Sequence, residues 1–189
     1  MKGKDIKDIA RTAVLLFLIC AVAAGILAAV NSVTAPKIAE ASAAAAEKSK
    51  AEVLPGAASF EELTLADGSV CWCGKDADGN VVGYVFDTSA SSYGGKVELM
   101  TGINADGTVT GISILAINDT PGLGMNAKKE DWQQQFIGAD GELNVVKGGN
   151  AGKNEINAIT SATITSKAVT SCVNSAREGF NEITAKEGE

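Results

Sequence analysis

Histidine is absent from the 189-residue sequence. Its absence excludes catalytic triads that use imidazole, histidine metal ligands and histidine pH switching. Any chemistry in this chain must therefore depend on hydroxyls, carboxylates, lysines, cysteines or a bound cofactor.

Positively charged residues are fewer than negatively charged ones. The chain has 16 lysines and arginines against 23 aspartates and glutamates, which gives a net charge of −7. Proteins that bind nucleic acids through their phosphates carry an excess of positive charge. We therefore expect no nucleic-acid partner.

The four cysteines are few and irregularly placed. Cys20 lies in an apolar run, Cys71 and Cys73 form the tripeptide CWC, and Cys172 lies in a predicted helix. This is not the spacing of a disulfide-stapled domain. Without histidine or a second CxC or CxxC motif, we expect no metal centre. We predict that Cys71 and Cys73 share one face of a strand, and their redox role is left open.

A long apolar run near the N-terminus is the strongest feature of the sequence. The 18 residues Ala13–Val30 carry no charge and, as a helix, would span about 27 Å, close to the hydrocarbon core of a bilayer. Lys2, Lys4, Lys7 and Arg11 precede the run, which predicts a cytoplasmic N-terminus. A cleaved signal peptide is the alternative, although its apolar core would be shorter. We expect a single-pass cell (inner) membrane protein in contact with lipid.

The predicted organisation follows from this anchor. Residues 1–11 are cytoplasmic, 12–33 form the transmembrane helix, and 34–56 form a helical stalk because alanine, glutamate and lysine favour helix. The stalk should stop near the Pro55–Gly56 turn signal. Residues 57–189 form an outer domain with its core at about 81–184.

The outer domain reads as an α+β fold with a mainly antiparallel sheet and packed helices. Two pairs of β-rich runs flank Asp-Gly turns, Asp78–Gly79 and Asp106–Gly107, and each pair predicts a hairpin. The segment DADGN resembles the start of a calcium loop but lacks the glycine and the final glutamate of that loop. Further predicted elements are a helix at Lys128–Phe136, strands at Glu142–Lys147 and Glu155–Ile159, and a helix at Ser166–Ile183 with one apolar stripe.

Two loops have the composition of a binding site. The first is DTPGLGM, where Pro121 fixes its own backbone, and Gly122 and Gly124 allow close approach of a planar ligand. Leu123 offers an apolar contact, and Thr120 precedes the turn. An ordinary Pro-Gly turn explains this loop equally well when it is taken alone.

The second loop is NAITSATITSKAV, which holds more hydroxyls than one helix cap requires. Thr165 or Ser166 could cap the helix, but Thr160, Ser161 and Thr163 remain unexplained. A helix N-terminus attracts phosphate, and the small Ser161 and Ala162 leave room for it. The alternative is that threonine is present for its strand propensity.

Together these loops, the anchor, VLPGA and YGGKVELMTGINADGTVTGISIL resemble the G subunit of the Rnf electron-transport complex, a family with an FMN-binding domain. The C subunit of the sodium-pumping NADH:quinone reductase is similar. In this family FMN is joined through its phosphate to the last threonine of a Ser/Thr-Gly-Ala-Thr motif. The motif is Thr160-Ser161-Ala162-Thr163 here, which implies Thr163 as the acceptor. Ser161 replaces the family's glycine, and Asn157 replaces an aspartate often found there.

The resemblance implies an electron-carrying flavoprotein subunit with covalent FMN. Thr120, Pro121, Gly122, Leu123 and Gly124 would contact the flavin ring. Thr160, Ser161, Ala162, Thr165 and Ser166 would surround the phosphate. No catalytic or metal-binding residue is implied, and the partners are other Rnf subunits and a flavin transferase. The alternatives are the C subunit of the quinone reductase, a non-redox scaffold subunit and a stand-alone extracellular reductase.

Overall fold

The computed structural model describes residues 3–65 and 68–187. Within these residues the chain forms two compact units, one ending at Ala44 and the other beginning at Ala45. Residues 1–2 of the predicted cytoplasmic segment and residues 66–67 and 188–189 of the predicted outer domain lie outside the described part of the chain.

Helix α1 (Gly3–Val53) contains the apolar run. Among the described residues it is the one helix long and apolar enough to cross a membrane. Its apolar side chains in the run are exposed in the described part of the chain, for example Phe17 and Leu27. A helix with this surface is consistent with membrane anchoring. The helix ends at Val53, two residues before Pro55, as the turn signal predicted.

The second unit contains a five-stranded antiparallel sheet, with the strands in sequence order. The strands are β1 (Ser59–Thr64), β2 (Val70–Lys75), β3 (Val81–Ser92), β4 (Gly95–Asn104) and β5 (Val109–Ala116). Both predicted hairpins are confirmed. Their turns contain glycines with positive φ, 87° at Gly79 and 86° at Gly107, which other residues adopt at a cost.

The first hairpin turn also explains the segment that resembles a calcium loop. The Asp76 carboxylate accepts hydrogen bonds from the backbone N–H groups of Asp78 and Asn80 at 2.9 and 2.8 Å. The Asn80 side chain donates to the same carboxylate. These contacts fix the turn, since an aspartate that bonds its own backbone two residues on stabilises a tight turn.

The structure corrects three sequence expectations. Strand β1 was not predicted, because its sequence SFEELT contains two consecutive glutamates and lacks clear alternation. The expected helix Lys128–Phe136 is instead a 3₁₀ turn (Gly124–Lys128), a short α2 (Glu130–Gln133) and a second 3₁₀ turn (Gln134–Phe136). The break lies at Lys129, whose backbone is extended. The two late strands are shorter than the predicted Glu142–Lys147 and Glu155–Ile159. They are β6 (Asn144–Val146) and β7 (Glu155–Asn157), and they pair in parallel.

Helix α3 (Thr163–Glu187) packs on one face of the main sheet. Its predicted apolar stripe is confirmed, because Val169, Cys172, Val173 and Ala176 are all buried. The helix begins three residues before the predicted start at Ser166. Leu99 of β4 lies in the same apolar cluster as the stripe.

The C-terminal end of α1 packs on the opposite face of the sheet. Val53 and Leu54 are buried with Val85 and Met100. A side chain at Gly102 would place its Cβ 2.1 Å from the Val53 carbonyl oxygen, so glycine is required for this contact. The Thr110 hydroxyl donates to the same carbonyl. Val53 and Leu54, which the sequence analysis placed in the stalk, therefore belong to the core of the second unit.

Cys71 and Cys73 point to one face of β2, as predicted, and lie against Tyr84 and Phe180. Burial, assisted by the neighbouring Cys73, raises the pKa of the Cys71 thiol to about 11. A thiol with so high a pKa is a poor nucleophile at neutral pH. These two residues are thus apolar core residues of the sheet.

Candidate functional site

The two loops singled out in the sequence meet around one cavity, although about 40 residues separate them. Its volume is about 480 Å³, which is within the usual range for a ligand pocket. The lining residues are Tyr93, Asp119, Thr120, Leu123, Gly124, Ser161, Ala162, Thr163, Ile164 and Thr165. The sequence had assigned seven of these ten residues to the site.

Two smaller cavities adjoin the first and share residues with it. One, of about 450 Å³, is lined by Gly122, Leu123, Thr160 and Ser161 together with Asn126, Lys129, Asp131, Trp132, Ala158 and Ile159. The other, of about 370 Å³, is lined by Lys147, Gly148, Ala158, Ile159, Thr160, Ser161 and Thr163. Of the remaining predicted site residues, Pro121 lines none of these three cavities, and Ser166 is fully buried.

The buried carboxylate of Asp119 connects the elements around the main cavity. One oxygen accepts a hydrogen bond from the Gly94 backbone N–H at 2.5 Å. The other accepts from the Ser92 hydroxyl and, at 2.5 Å, from the Thr165 hydroxyl. These donors come from the end of β3, the β3–β4 turn and the first turn of α3. One side chain thus links its own loop to the β3–β4 turn and to the first turn of α3.

The glycines near Asp119 allow the segments to approach closely. A Cβ at Gly124 would lie 2.5 Å from the Asp119 Cβ and 2.6 Å from the Thr165 hydroxyl oxygen. A Cβ at Gly94 would lie 2.2 Å from the Asn118 carbonyl oxygen. Glycine at position 124 is therefore needed for packing within the site as well as for ligand access. Glycine at position 122 is favoured for another reason, because the backbone there has a φ of 77°.

The charge on Asp119 is stabilised by its donors. Burial by itself raises the pKa of this carboxyl, but the hydrogen bonds from Ser92, Thr165 and Gly94 outweigh it and hold the pKa below the ordinary value. Hydrogen bonds to an ionised acceptor are stronger than those between neutral groups. The carboxylate is consequently ionised at neutral pH and contributes a fixed negative charge beside the cavity.

The hydroxyl-rich segment divides into buried and accessible members. The Ser166 hydroxyl accepts from the Ile159 N–H at 2.9 Å and donates to the Ala162 carbonyl at 3.0 Å. With Thr165 bonded to Asp119, both predicted cap residues lie inside the helix, and the expectation that either is the N-cap is wrong. No local signal indicated the earlier helix start, because Thr163 and Ile164 are β-branched.

Thr163 is the first residue of α3 and is partly exposed to the cavity. Its hydroxyl makes no hydrogen bond with the described residues of the chain. The first helical backbone bond here runs from the Ser166 N–H to the Ala162 carbonyl at 3.0 Å. The N–H groups of Thr163, Ile164 and Thr165 precede that bond, and such groups can donate hydrogen bonds to a bound anion.

Ser161 has a left-handed backbone, with φ at 61°. This conformation allows the turn in which the Ala162 N–H donates to the Ile159 carbonyl at 2.9 Å. Glycine adopts it at no steric cost, whereas other residues pay about 1–2 kcal/mol. The backbone at Ser161 thus favours glycine, the residue that the Rnf G-subunit family has at this point of the motif.

Asn157, near the start of this turn, is held by side chains of α2 and of the second 3₁₀ turn. The Trp132 indole N–H donates to the Asn157 carbonyl at 2.8 Å, and the Asn157 N–H donates to the Gln135 side chain at 2.8 Å. The Asn157 side-chain oxygen is buried without a hydrogen-bond partner in the described structure. Asn157 thus contributes to the turn mainly through its backbone.

Three residues of the main cavity were not identified from the sequence, namely Tyr93, Asp119 and Ile164, and neither was Lys147 of an adjoining cavity. Tyr93 and Lys147 lie in connections outside the two motifs, and no local signal indicates their position. Asp119 directly precedes TPGLG, and its acidic side chain beside an apolar strand was the one available signal. Side chains brought in by the β3–β4 and β6–β7 connections can be found only from the tertiary structure.

Two sequence families match the chain. The FMN-binding domain family matches residues 92–178, a stretch that contains both site loops. The RnfG N-terminal region matches residues 1–53, which includes the whole of the described α1. Together the two matches cover the apolar helix and most of the second unit.

Curated relatives are similar over almost the full chain. The G subunit of the Na(+)-translocating ferredoxin:NAD(+) oxidoreductase complex of Acetobacterium woodii is 42% identical, covering 95% of both chains. The G subunit of the proton-translocating ferredoxin:NAD(+) oxidoreductase complex of Clostridium ljungdahlii is 34% identical over 97% of both chains. The G subunit of the ion-translocating oxidoreductase complex of Methanosarcina acetivorans is 33% identical over 97% of this chain and 99% of its own.

Solved structures share the fold. The C subunit of the Na(+)-translocating NADH-quinone reductase of Parabacteroides distasonis aligns with a TM-score of 0.51 and 23% identity, over 60% of this chain and 61% of its own. NqrC of Shewanella oneidensis aligns with a TM-score of 0.55 and 18% identity, over 69% and 71%. At these identities the likeness supports the α+β fold.

The left-handed backbone at Ser161 predicts that Ser161→Gly stabilises the protein. Removing the side chain relieves strain of about 1 kcal/mol, so the free energy of unfolding should rise by about that amount. Chemical unfolding of the full chain in detergent measures it. Ser161→Ala keeps the strain and should show no comparable gain. A Gly variant no more stable than the Ala variant would contradict the assigned role of this backbone angle.

The hydrogen bonds of Asp119 predict a pH-dependent loss of stability in Asp119→Asn. Because the folded pKa is depressed, the charge stabilises the fold above the unfolded pKa of about 3.9. This contribution is lost as pH falls through the folded pKa. At pH 7 the variant should be less stable by about 1–3 kcal/mol, with the difference shrinking below about pH 4.

Thermal and chemical unfolding between pH 3 and pH 7 tests this expectation. Asp78→Asn is the matched control, because Asp78 is exposed in a hairpin turn and its side chain makes no hydrogen bond with the described residues. It should leave the pH profile of the parent protein unchanged. A pH-independent difference between Asp119→Asn and the parent would show that the charge itself is not what holds the segments.

Proposed function

Because this chain belongs to the family of G subunits of Rnf-type ion-translocating oxidoreductase complexes, we propose that it relays electrons in such a complex through bound FMN. The observation that carries the proposal is the convergence of the TPGLG loop and the start of α3 around one cavity. Both lie in the stretch that matches the FMN-binding domain family.

The cavity has the chemistry that an FMN molecule requires. Leu123 and the backbone of Thr120 and Gly124 offer a surface for a planar ring, and the α3 N-terminus offers N–H groups to a phosphate. Bound FMN supplies the transfer of one or two electrons. The protein's part is to hold the ring and exclude water, so no catalytic side chain is required in a chain without histidine.

We further propose that the FMN is covalently attached to Thr163. The Thr163 hydroxyl oxygen forms a bond to the flavin phosphorus, and the bond from that phosphorus to a leaving nucleotide breaks. A flavin transferase would catalyse the step with a flavin dinucleotide as donor, so that AMP leaves with the hydroxyl proton. Thr163 is suited to this role because the residue is partly exposed, its hydroxyl makes no hydrogen bond with described residues, and it lines two cavities.

Mass spectrometry of the protein made in a host with a flavin transferase tests the attachment. We expect the peptide with Thr163 to gain the mass of FMN less one water, and a fluorescent band to persist on a denaturing gel. Thr163→Val should abolish both signals because the acceptor oxygen is gone. Thr160→Val is the matched control, since Thr160 is in the same loop but lies outside the main cavity.

An unmodified Thr163 in a host with proven transferase activity would contradict covalent attachment. Retention of FMN by that unmodified protein would still support a noncovalent flavoprotein. Colourless protein under the same conditions would favour the remaining alternative, a non-redox scaffold protein of the complex.

The alternative identity as the C subunit of the quinone reductase is less well supported. The similar C subunits are solved structures of low identity, whereas the relatives named as G subunits match nearly the whole chain. Co-purification with several membrane subunits is expected for a member of a complex and would distinguish it from a stand-alone reductase.

We propose that α1 anchors the chain in the cell membrane with its N-terminus in the cytoplasm and the FMN-binding unit outside. The positive residues before the apolar run support this orientation. The run would contact lipid, and the second unit would contact other subunits of the complex on the outer side.

Protease accessibility in intact spheroplasts tests the orientation. Protease added outside should digest the second unit and leave an N-terminal tag protected. In inside-out vesicles the pattern should reverse, with the tag removed and the second unit intact. Digestion of the tag in spheroplasts would place the N-terminus outside and contradict the proposal.

A further inference from the structure

Resting on the proposed function, we propose that Lys147 is the cation that pairs with the phosphate of the flavin held at Thr163. Nothing in the two sequence motifs indicates this residue. It directly follows β6, and it lines the cavity of about 370 Å³ that also contains Thr160, Ser161 and Thr163.

The position of Lys147 is set by the small parallel sheet. Strand β6 pairs with β7, and the pairing continues where the Ala158 N–H donates to the Val146 carbonyl at 2.8 Å. The residue after Val146 therefore lies alongside the segment that leads from Ala158 to Thr160. After Lys147 the chain turns through Gly148 and Gly149, whose φ values of 114° and 82° suit glycine.

Thr163 lies between two cavities, and this arrangement separates the two ends of a flavin nucleotide. The larger cavity contains Tyr93 and Leu123 and has no lysine or arginine among its lining residues. The smaller cavity contains Lys147. A ligand attached at Thr163 can place its apolar ring in the larger cavity and direct its phosphate oxygens toward Lys147.

Charge supports the assignment. Lys147 takes part in none of the ion pairs among the described residues, whereas Lys153 of the same connection bonds Asp140 at 2.7 Å. The chain has a net charge of −7, and the ionised Asp119 lies beside the main cavity. An anion bound here needs a nearby cation, because a partly buried charge without a partner is unfavourable.

Lys129 is the competing cation, and its position makes it the weaker choice. It lines the cavity of about 450 Å³ with Thr160 and Ser161. Thr163 is not among the lining residues of that cavity. A phosphate joined to Thr163 is therefore directed to the side of Lys147.

Comparison of FMN with riboflavin isolates the contribution of the phosphate. In the full chain carrying Thr163→Val, no ester can form, and quenching of flavin fluorescence in detergent measures the affinity for each free flavin. We expect FMN to bind more tightly than riboflavin. Lys147→Gln should lower FMN affinity about tenfold, as for loss of one charge-assisted contact, and leave riboflavin affinity unchanged.

Three further variants sharpen the test. Lys147→Arg should retain the preference for FMN because it keeps the positive charge. Lys153→Gln is the matched control from the same connection and should change neither affinity, and Lys129→Gln should also leave the preference intact. The melting temperature of each variant shows whether the fold is preserved.

The proposal is overturned if Lys147→Gln leaves the FMN-to-riboflavin ratio unchanged, if it weakens both flavins equally, or if Lys129→Gln alone removes the preference. Absence of any preference in the parent would overturn it as well. This readout is independent of covalent attachment. An unmodified Thr163 combined with a Lys147-dependent preference would refute only the ester, and a modified Thr163 without that preference would refute only Lys147.

Discussion

The arrangement of the site depends on the buried carboxylate of Asp119. A buried charge is tolerated only when donors surround it, and its donors come from β3, the β3–β4 turn and α3. The TPGLG loop, which follows Asp119 directly, is thus fixed relative to the first turn of α3. Glycine is required at position 124, where a Cβ would meet the Asp119 side chain, and at position 94, where a Cβ would meet the backbone of Asn118 and Asp119.

The sheet supports this arrangement because both of its faces are covered. The stripe of α3 packs on one face, and Val53 and Leu54 at the end of α1 pack on the other. Burying an aliphatic side chain of this size contributes about 1.5–3 kcal/mol. The last turns of α1 therefore serve the fold of the second unit, while its earlier apolar run has the composition of a membrane span. Helix α1 thus has an apolar run with the composition of a membrane span and a C-terminal end that packs in the core of the second unit.

The elements predicted correctly from the sequence are those that local turn signals and apolar spacing determine. The Asp-Gly turns predicted both hairpins, and the apolar spacing predicted α3 with its buried stripe. Strand β1 was missed because it pairs at the edge of the sheet, where polar residues are tolerated. The break at Lys129 and the early start of α3 were missed because tertiary contacts override helix propensity there. At the site, the two motifs were found by composition, but Asp119, Tyr93 and Lys147 acquire their places only through folding.

The crowding of hydroxyls before α3 is explained by their separate partners. Ser166 bonds the backbone of Ile159 and Ala162, and Thr165 bonds Asp119, so these two buried hydroxyls stabilise the turn and the site. Ser161 provides the left-handed turn that directs the chain into the helix. Thr160 and Thr163 are the remaining hydroxyls, and only Thr163 lies both at the helix start and in the main cavity. The structural demands on the other residues thus leave Thr163 as the hydroxyl available to a ligand. It lies at the helix start and lines one small cavity together with Lys147.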